Sequence, residues 1–120
     1  MKQILLIDDD PTQLRVREII LRGSGFGVSV ATSAESAMAA LRTIGPRVGL
    51  IITDHILPGA PGSEFVRELR QIMPDVFVIV LSGMAEAEEE YSGLNVIFRQ
   101  KPIPPAELIE LAKHALREAA

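Results

Sequence analysis

Apolar runs without helical spacing alternate along the chain with segments that carry helix-capping signals. The runs lie at residues 3–7, 28–31, 49–54, 76–81 and 95–98, and each is followed by a helix-like segment. An alternation of strand and helix repeated five times predicts an α/β fold, in which helices cover both faces of a parallel sheet. The run 49–54 is apolar on both faces, so it is expected to be a central strand buried between two layers.

Capping residues and prolines mark the predicted helix starts. Asp10 before Pro11, with Gln13 three positions after Asp10, predicts the first helix, and Thr32 with Glu35 predicts the second. Ser63 is expected to cap the third helix. A short helix of about two turns is expected at residues 85–91. Pro104 and Pro105 are expected to open a final helix. These boundaries place every helix directly after a strand.

The third predicted helix has a marked apolar face. Its apolar residues fall at helical spacings, which indicates that one side packs against the sheet. They are Phe65, Val66, Leu69, Ile72 and Met73.

Composition narrows the class of protein. With 120 residues, 48% of them hydrophobic, the chain is expected to form a single domain over 1–120. It has no cysteine and no apolar window long enough for a signal peptide or membrane span, which predicts a cytoplasmic protein without membrane contact. A net charge of −4 without a Lys/Arg cluster argues against direct nucleic-acid binding.

Polar residues that could bind a ligand or take part in a reaction follow several predicted strands. Asp8 and Asp9 come after the first strand, Asp54 ends the third, Ser82 follows the fourth and Lys101 the fifth. In a parallel sheet these carboxyl ends share one edge, where ligands bind in open α/β sheets. Clustered carboxylates repel one another unless a cation is supplied, and hard oxygen ligands suit Mg²⁺. With a lysine and a hydroxyl beside them, the set predicts a pocket for a phosphoryl group next to a divalent metal.

The same motifs, in order, resemble the receiver domain of two-component response regulators. They are Ile4-Leu5-Leu6-Ile7-Asp8-Asp9-Asp10-Pro11, Asp54 with Pro58-Gly59 and Gly62, Leu81-Ser82-Gly83, and Lys101-Pro102. The resemblance spans nearly the whole chain. It implies a doubly wound, flavodoxin-like and CheY-like fold with strand order 2-1-3-4-5. It also implies a signalling switch and not an enzyme. The reactions that it would catalyse are its own phosphorylation and its own slow dephosphorylation.

The resemblance also implies roles for the residues of the pocket. Asp54 is expected to accept a phosphoryl group from the phosphohistidine of a histidine kinase or a histidine phosphotransfer protein. Asp54, Asp9, the carbonyl of Ile56 and, mainly through water, Asp8 are expected to hold Mg²⁺ or Mn²⁺. Ser82 and Lys101 would engage the phosphoryl oxygens, and the peptide bond before Pro102 is expected to be cis.

Three further residues take roles from the resemblance. Phe98, three positions before Lys101, is expected to turn inward when Ser82 moves, although a plain core position is an open alternative. Ile56 and Met84 would flank the phosphoryl group, and apolar flanks exclude attacking water. Slow hydrolysis of the phosphorylated form is the expected result. The motifs specify no downstream protein partner.

Some features depart from the family pattern. The stretch between Ser82 and Lys101 is short, which resembles receivers attached to hybrid histidine kinases, and the glutamates of 86–90 are interpreted as a solvated face. Pro61-Gly62 is expected to affect only its loop. His55 should point away from Asp54, because neighbours on an extended chain alternate faces.

Two other functions compete with the phosphoacceptor. The Asp8-x-Asp10-x-Thr12 opening also fits haloacid dehalogenase-like phosphatases, but that chemistry needs a later acidic pair, and only helical glutamates follow Lys101. The second rival is a receiver-like module that binds proteins and never takes phosphate. The acid pair, Asp54 and Lys101 weigh against it.

Overall fold

The five predicted strands form one parallel sheet in the computed structural model, which describes residues 2–119. The strands are β1 (Gln3–Ile7), β2 (Val28–Ala31), β3 (Val48–Asp54), β4 (Phe77–Ser82) and β5 (Ile97–Gln100). Their order across the sheet is β2-β1-β3-β4-β5, which confirms the predicted fold class.

In the part of the chain that the structure describes, three α-helices and two short 3₁₀ helices connect these strands, and a fourth α-helix follows the last strand. After β3, residues Ile56–Leu57 pair with Ala60–Pro61 in a small antiparallel hairpin. Within residues 2–119, no helix combines the length and apolar character needed to cross a bilayer. The helices are α1 (Pro11–Gly23), α2 (Ala34–Ile44), α3 (Gly62–Ile72) and α4 (Pro105–Ala119), with 3₁₀ turns at Gly45–Arg47 and Ala85–Tyr91.

The sheet separates two hydrophobic clusters, and β3 supplies residues to both. All seven residues of β3 are buried. Leu50 and Ile52 pack in the cluster that contains residues of α1 and α4, whereas Ile51 packs with residues of α2 and α3. Burial on both faces explains why this strand reads as a continuous apolar run. It also fixes Asp54, at the end of β3, on the edge of the sheet.

Two of the predicted helix caps are wrong. The second helix is capped by Ser33, not Thr32: Ser33 Oγ accepts from the N–H of Ser36 at 3.0 Å, and Ser36 Oγ accepts from the N–H of Ser33 at 3.1 Å. This reciprocal pair satisfies two free N–H groups, so Glu35 is not needed. Ser63 does not cap α3, which follows Pro61 without a side-chain cap. The cap of α1 is confirmed, since Asp10 Oδ1 accepts from the N–H of Thr12 at 2.9 Å.

Other boundaries shift by a few residues. Ile72 is 62% exposed although its spacing predicted burial, and it is the last residue of α3. The fourth strand begins at Phe77 instead of residue 76. The last strand runs to Gln100 and begins at Ile97, because Asn95 has a φ of 56°, a left-handed conformation that ends extended pairing.

Arg70 joins the loops at the start of β4 and β5. Its Nε donates to the carbonyl of Leu94 at 2.8 Å, Nη1 to Val76 at 2.6 Å and Nη2 to Asn95 at 2.8 Å. Only a guanidinium has enough donors in a fixed plane to reach all three acceptors. Arg70 therefore sets where the last strand enters the sheet, and with it the path toward Lys101.

Candidate functional site

Three carboxylates meet at the carboxyl edge of the sheet, as the sequence predicted. Asp8 and Asp9 follow β1 and Asp54 ends β3, and one oxygen from each lies within 4.8 Å of the others. Asp8 and Asp54 are buried and Asp9 is exposed. Such a set of oxygen donors, open on one side, fits a hard divalent cation such as Mg²⁺.

Lys101 lies against Asp54. Its Nζ is 2.5 Å from Asp54 Oδ1, and its backbone N–H donates to the carbonyl of Ser82 at 2.7 Å. The Lys101–Pro102 peptide bond is cis, as predicted. The structure therefore brings the ends of β3, β4 and β5 together at one carboxylate.

The environment of Asp54 acts on its protonation in two opposing ways. Burial raises the pKa of the Asp54 carboxyl, because a low-dielectric surrounding disfavours the ionised form. The hydrogen bond and the charge of Lys101 oppose this increase in pKa. The lysine thus partly compensates the cost of burying a charge at the end of β3.

Ser82 forms its hydrogen bonds within its own loop. Its Oγ accepts from the N–H of Met84 at 2.9 Å and lies 3.1 Å from the carbonyl of Met84, to which it donates. The side chain is buried at the end of β4. Any other acceptor for this hydroxyl would have to replace the carbonyl of Met84.

Two residues of α1, missed in the sequence analysis, belong to the site. Arg17 Nη1 lies 2.6 Å from Asp8 Oδ2. Gln13 Oε1 accepts from Arg17 Nη2 at 3.2 Å and from Lys101 Nζ at 3.1 Å. Their spacing of four places both on one helix face, the face that begins at the acid pair. That spacing was the available signal, and Gln13 was predicted only as a capping partner of Asp10.

His55, the residue after Asp54, belongs to a separate group of polar side chains that contact one another. Its Nδ1 lies 2.6 Å from the hydroxyl of Tyr91, and its Nε2 is 3.6 Å from Glu90 Oε2. Ser63 Oγ donates to Glu90 Oε1 at 3.0 Å. Glu90 is 48% exposed, as expected of a solvated face, but its carboxylate also ties the 3₁₀ turn Ala85–Tyr91 to α3. Burial raises the pKa of Tyr91, which keeps its hydroxyl protonated.

The proposed flanking and switch residues lie around this pocket. Ile56 is 62% exposed in the hairpin after β3, and Met84 is 43% exposed after Ser82. Phe98 is half-buried, with its ring centre 6.0 Å from that of Tyr91. Both apolar residues are accessible beside the site, and Phe98 packs against the turn that follows the Ser82 loop.

Comparison with a family model assigns a class to this arrangement. The model described as the response regulator receiver domain matches residues 4–113. Among solved structures, a CheY-like receiver domain protein from Methanospirillum hungatei superposes with a TM-score of 0.90 at 27% identity, covering 99% of this chain and 96% of that one. A sensor protein from Polaromonas has a TM-score of 0.87 at 26% identity, with 99% and 98% covered.

Curated relatives are longer than this chain. The transcriptional regulatory protein AruR of Pseudomonas aeruginosa is 32% identical over 121 residues, which is 96% of this chain and 49% of AruR. The DNA-binding response regulator MtrA of Mycolicibacterium smegmatis is 31% identical over 119 residues, 97% of this chain and 51% of MtrA. The chain therefore spans about half the length of these relatives.

Proposed function

The chain belongs to the receiver-domain family of response regulators, and from this premise we propose that residues 1–120 form a single phosphoacceptor domain. The donor is the phosphohistidine of a histidine kinase or a histidine phosphotransfer protein in the cytoplasm, and the output passes to a protein partner. One observation carries the proposal. One carboxylate oxygen of Asp54 lies within 4.8 Å of oxygens from two further carboxylates, and its Oδ1 lies 2.5 Å from Lys101 Nζ. This arrangement suits an anion bound beside a divalent cation.

The proposed reaction moves one phosphoryl group. An oxygen of Asp54 attacks phosphorus, the phosphorus–nitrogen bond to histidine breaks, and an acyl phosphate forms on Asp54. Lys101 stays close enough to balance the negative charge that arrives. Asp9, Asp54, the carbonyl of Ile56 and, through water, Asp8 would hold Mg²⁺. When bound, the metal neutralises charge on the phosphoryl oxygens.

The test of this function is phosphorylation that depends on Mg²⁺. Incubation with Mg²⁺ and acetyl phosphate should add the mass of one phosphoryl group, and excess EDTA should abolish the addition. Without the metal, an incoming phosphate meets three carboxylates and is repelled. Intact-mass spectrometry gives the readout, and peptide mapping should locate the group on the peptide that contains Asp54.

A donor-independent arm separates two causes of a negative result. Because a small phosphodonor can fail with a true receiver, beryllofluoride with Mg²⁺ is tested in parallel as a mimic of the phosphoryl group. A chain that binds neither the phosphoryl group nor beryllofluoride would contradict the proposal and favour a protein-binding module. Turnover of an added phosphomonoester would instead favour the phosphatase interpretation.

We propose that Ser82 and Phe98 convert phosphorylation into a change of surface. A phosphoryl group on Asp54 adds about −1.5 to −2 charge and offers Ser82 an acceptor stronger than the Met84 carbonyl. Ser82 would release Met84, and Phe98, whose ring centre already lies 6.0 Å from that of Tyr91, would then move further inward. In NMR spectra of the beryllofluoride complex, we expect the largest ring-proton shifts at Phe98 and Tyr91. Shifts confined to Asp8, Asp9 and Asp54 would contradict this coupling.

We propose that Ile56 and Met84 slow the loss of the phosphoryl group. Both side chains are exposed beside the pocket and carry no group that could orient a water molecule for attack. Met84→Asn should therefore shorten the half-life of the phosphorylated form by several-fold, up to about tenfold. The measurement is the decay of phosphorylated mass after the donor is removed. Ile72→Asn, at the exposed far end of α3, is the matched control and should leave the half-life unchanged.

A further inference from the structure

A continuous set of polar contacts crosses the site from β1 to β5 by way of α1. Asp8 contacts Arg17, Arg17 contacts Gln13, Gln13 contacts Lys101, and Lys101 contacts Asp54, at distances between 2.5 and 3.2 Å. The Arg17 side chain is 13% exposed and that of Asp8 is 1% exposed. Arg17 therefore pairs with the buried Asp8, and Lys101 pairs with the buried Asp54.

From this arrangement we propose that Arg17 is a positioning residue, the internal counter-cation of Asp8, and that its charge limits how tightly the pocket binds Mg²⁺. The inference rests on the proposed function, because it concerns the same metal site. Gln13 supports Arg17 by accepting one of its N–H groups, and the same oxygen accepts from Lys101. Arg17 and Lys101 therefore both donate to Gln13 Oε1 instead of contacting each other's acid.

The formal charge of the site indicates the direction of the effect. The three carboxylates together with Lys101 and Arg17 give a balance of −1, and removal of Arg17 leaves −2. A divalent cation held by these carboxylates would be repelled by the guanidinium, which lies 2.6 Å from Asp8 Oδ2. Even at the dielectric constant of water, repulsion between a double and a single positive charge about 6 Å apart weakens binding by about tenfold. Neutralising Arg17 should therefore tighten Mg²⁺ binding.

Loss of Arg17 does not release Asp8 from its place. Asp8 Oδ1 also accepts from the backbone N–H of Asp10 at 2.9 Å, and this bond is independent of Arg17. The carboxylate would keep its orientation but lose its counter-charge. A buried carboxylate that has lost its counter-charge is costly, so the metal-free protein should become less stable. Added Mg²⁺ should then restore more stability than it does in the wild type.

The experiment compares Arg17→Gln with Arg17→Lys and Arg15→Gln. Gln removes the charge and still offers Asp8 a donor, whereas Lys keeps the charge. Arg15 lies on the same helix, is 70% exposed, and pairs with Glu18 at 3.4 Å. Isothermal titration with MgCl₂ gives the dissociation constant, and thermal unfolding with and without Mg²⁺ gives the change in Tm.

The expected results differ among the variants. Arg17→Gln should bind Mg²⁺ about tenfold or more tightly than the wild type, with a lower Tm without metal and a larger increase on adding it. Arg17→Lys and Arg15→Gln should both stay within about threefold of the wild-type affinity, since neither changes the charge beside Asp8.

The outcomes separate this inference from the proposed function. Unchanged or weaker binding by Arg17→Gln, while the wild type binds Mg²⁺ normally, would overturn the inference alone. Absence of Mg²⁺ binding by the wild type would overturn the proposed function together with it. If Arg17→Gln does not fold, the Lys variant decides, because a tighter site with the charge retained would refute the role of charge.

Discussion

Asp54→Asn should take up no phosphoryl group under conditions that phosphorylate the wild-type chain. The amide has no anionic oxygen to attack phosphorus, so the proposed bond does not form. Of the neighbouring acids, the buried Asp8 is already engaged by Arg17 and by the backbone N–H of Asp10. Intact-mass spectrometry with acetyl phosphate and Mg²⁺ should show only unmodified protein.

The same variant should be at least as stable as the wild type at neutral pH, which rules out misfolding as the cause. The pKa of Asp54 is raised by burial, so the folded chain holds this proton more tightly than the unfolded chain does. Ionisation therefore costs stability as pH rises above the unfolded value, and the cost is complete once pH exceeds the folded pKa. Asn avoids that cost. Urea denaturation without divalent cations should show a higher midpoint at pH 7, and the gain should vanish in acid, where both states are protonated.

Asp75→Asn is the matched control for this experiment. Asp75 is an exposed aspartate in the loop between α3 and β4, away from the carboxyl edge of the sheet. Its replacement should leave the uptake of phosphate unchanged. Continued uptake by Asp54→Asn would mean that another carboxylate is the acceptor, and Asp9, the exposed member of the cluster, would be the first to examine.

Gly62→Ala should destabilise the protein by about 3 kcal/mol, the upper range for an overpacked site. A Cβ at this position would lie 2.7 Å from the Tyr91 hydroxyl, 2.9 Å from the carbonyl oxygen of His55 and 3.0 Å from that of Asp54. Two of these atoms are main chain at the end of β3 and cannot move alone. The Gly62 N–H also donates to the carbonyl oxygen of His55 at 2.6 Å. Gly62 thus contacts the end of β3, and the expectation that Pro61-Gly62 affects only its loop is wrong.

The clash at Gly62 should affect the site as well as stability. Relief of the contact requires α3 or the end of β3 to shift, and Asp54 would move with it. We expect a lower urea midpoint together with slower phosphorylation in the fraction that remains folded. Gly83→Ala is the control, because a Cβ there has no atom within 4 Å, and its effect should stay within about 0.5 kcal/mol. Equal stability of the two variants would contradict the close packing around Gly62.

The sequence allowed the sheet and the rim of the site to be predicted because both follow from local patterns. Continuous apolar runs identified the strands, and a parallel sheet places all their carboxyl ends together, so Asp8, Asp9, Asp54 and Lys101 were expected at one edge. Their convergence in the structure agrees with that expectation. Their roles in phosphorylation and metal binding remain predictions.

Contacts set by tertiary packing could not be predicted in the same way. Thr32 and Ser33 are adjacent and both suit a helix cap, so only the reciprocal pair with Ser36 decides between them. The contact between Arg17 and Asp8 depends on the rotation of α1 over the sheet. Likewise, nothing in the local sequence relates Ser63 to Glu90, 27 positions away, and each looked like an ordinary cap or surface residue.

The 3₁₀ turn Ala85–Tyr91 also determines which substitutions this part of the chain tolerates. The turn is tied down through its buried residues Ala87 and Tyr91 and through Glu90, while Glu86, Glu88 and Glu89 face solvent. Sequence drift among natural variants should therefore concentrate at the three outward glutamates. Replacement of Tyr91 alone should be less tolerated, since its hydroxyl is the buried polar partner of His55 Nδ1.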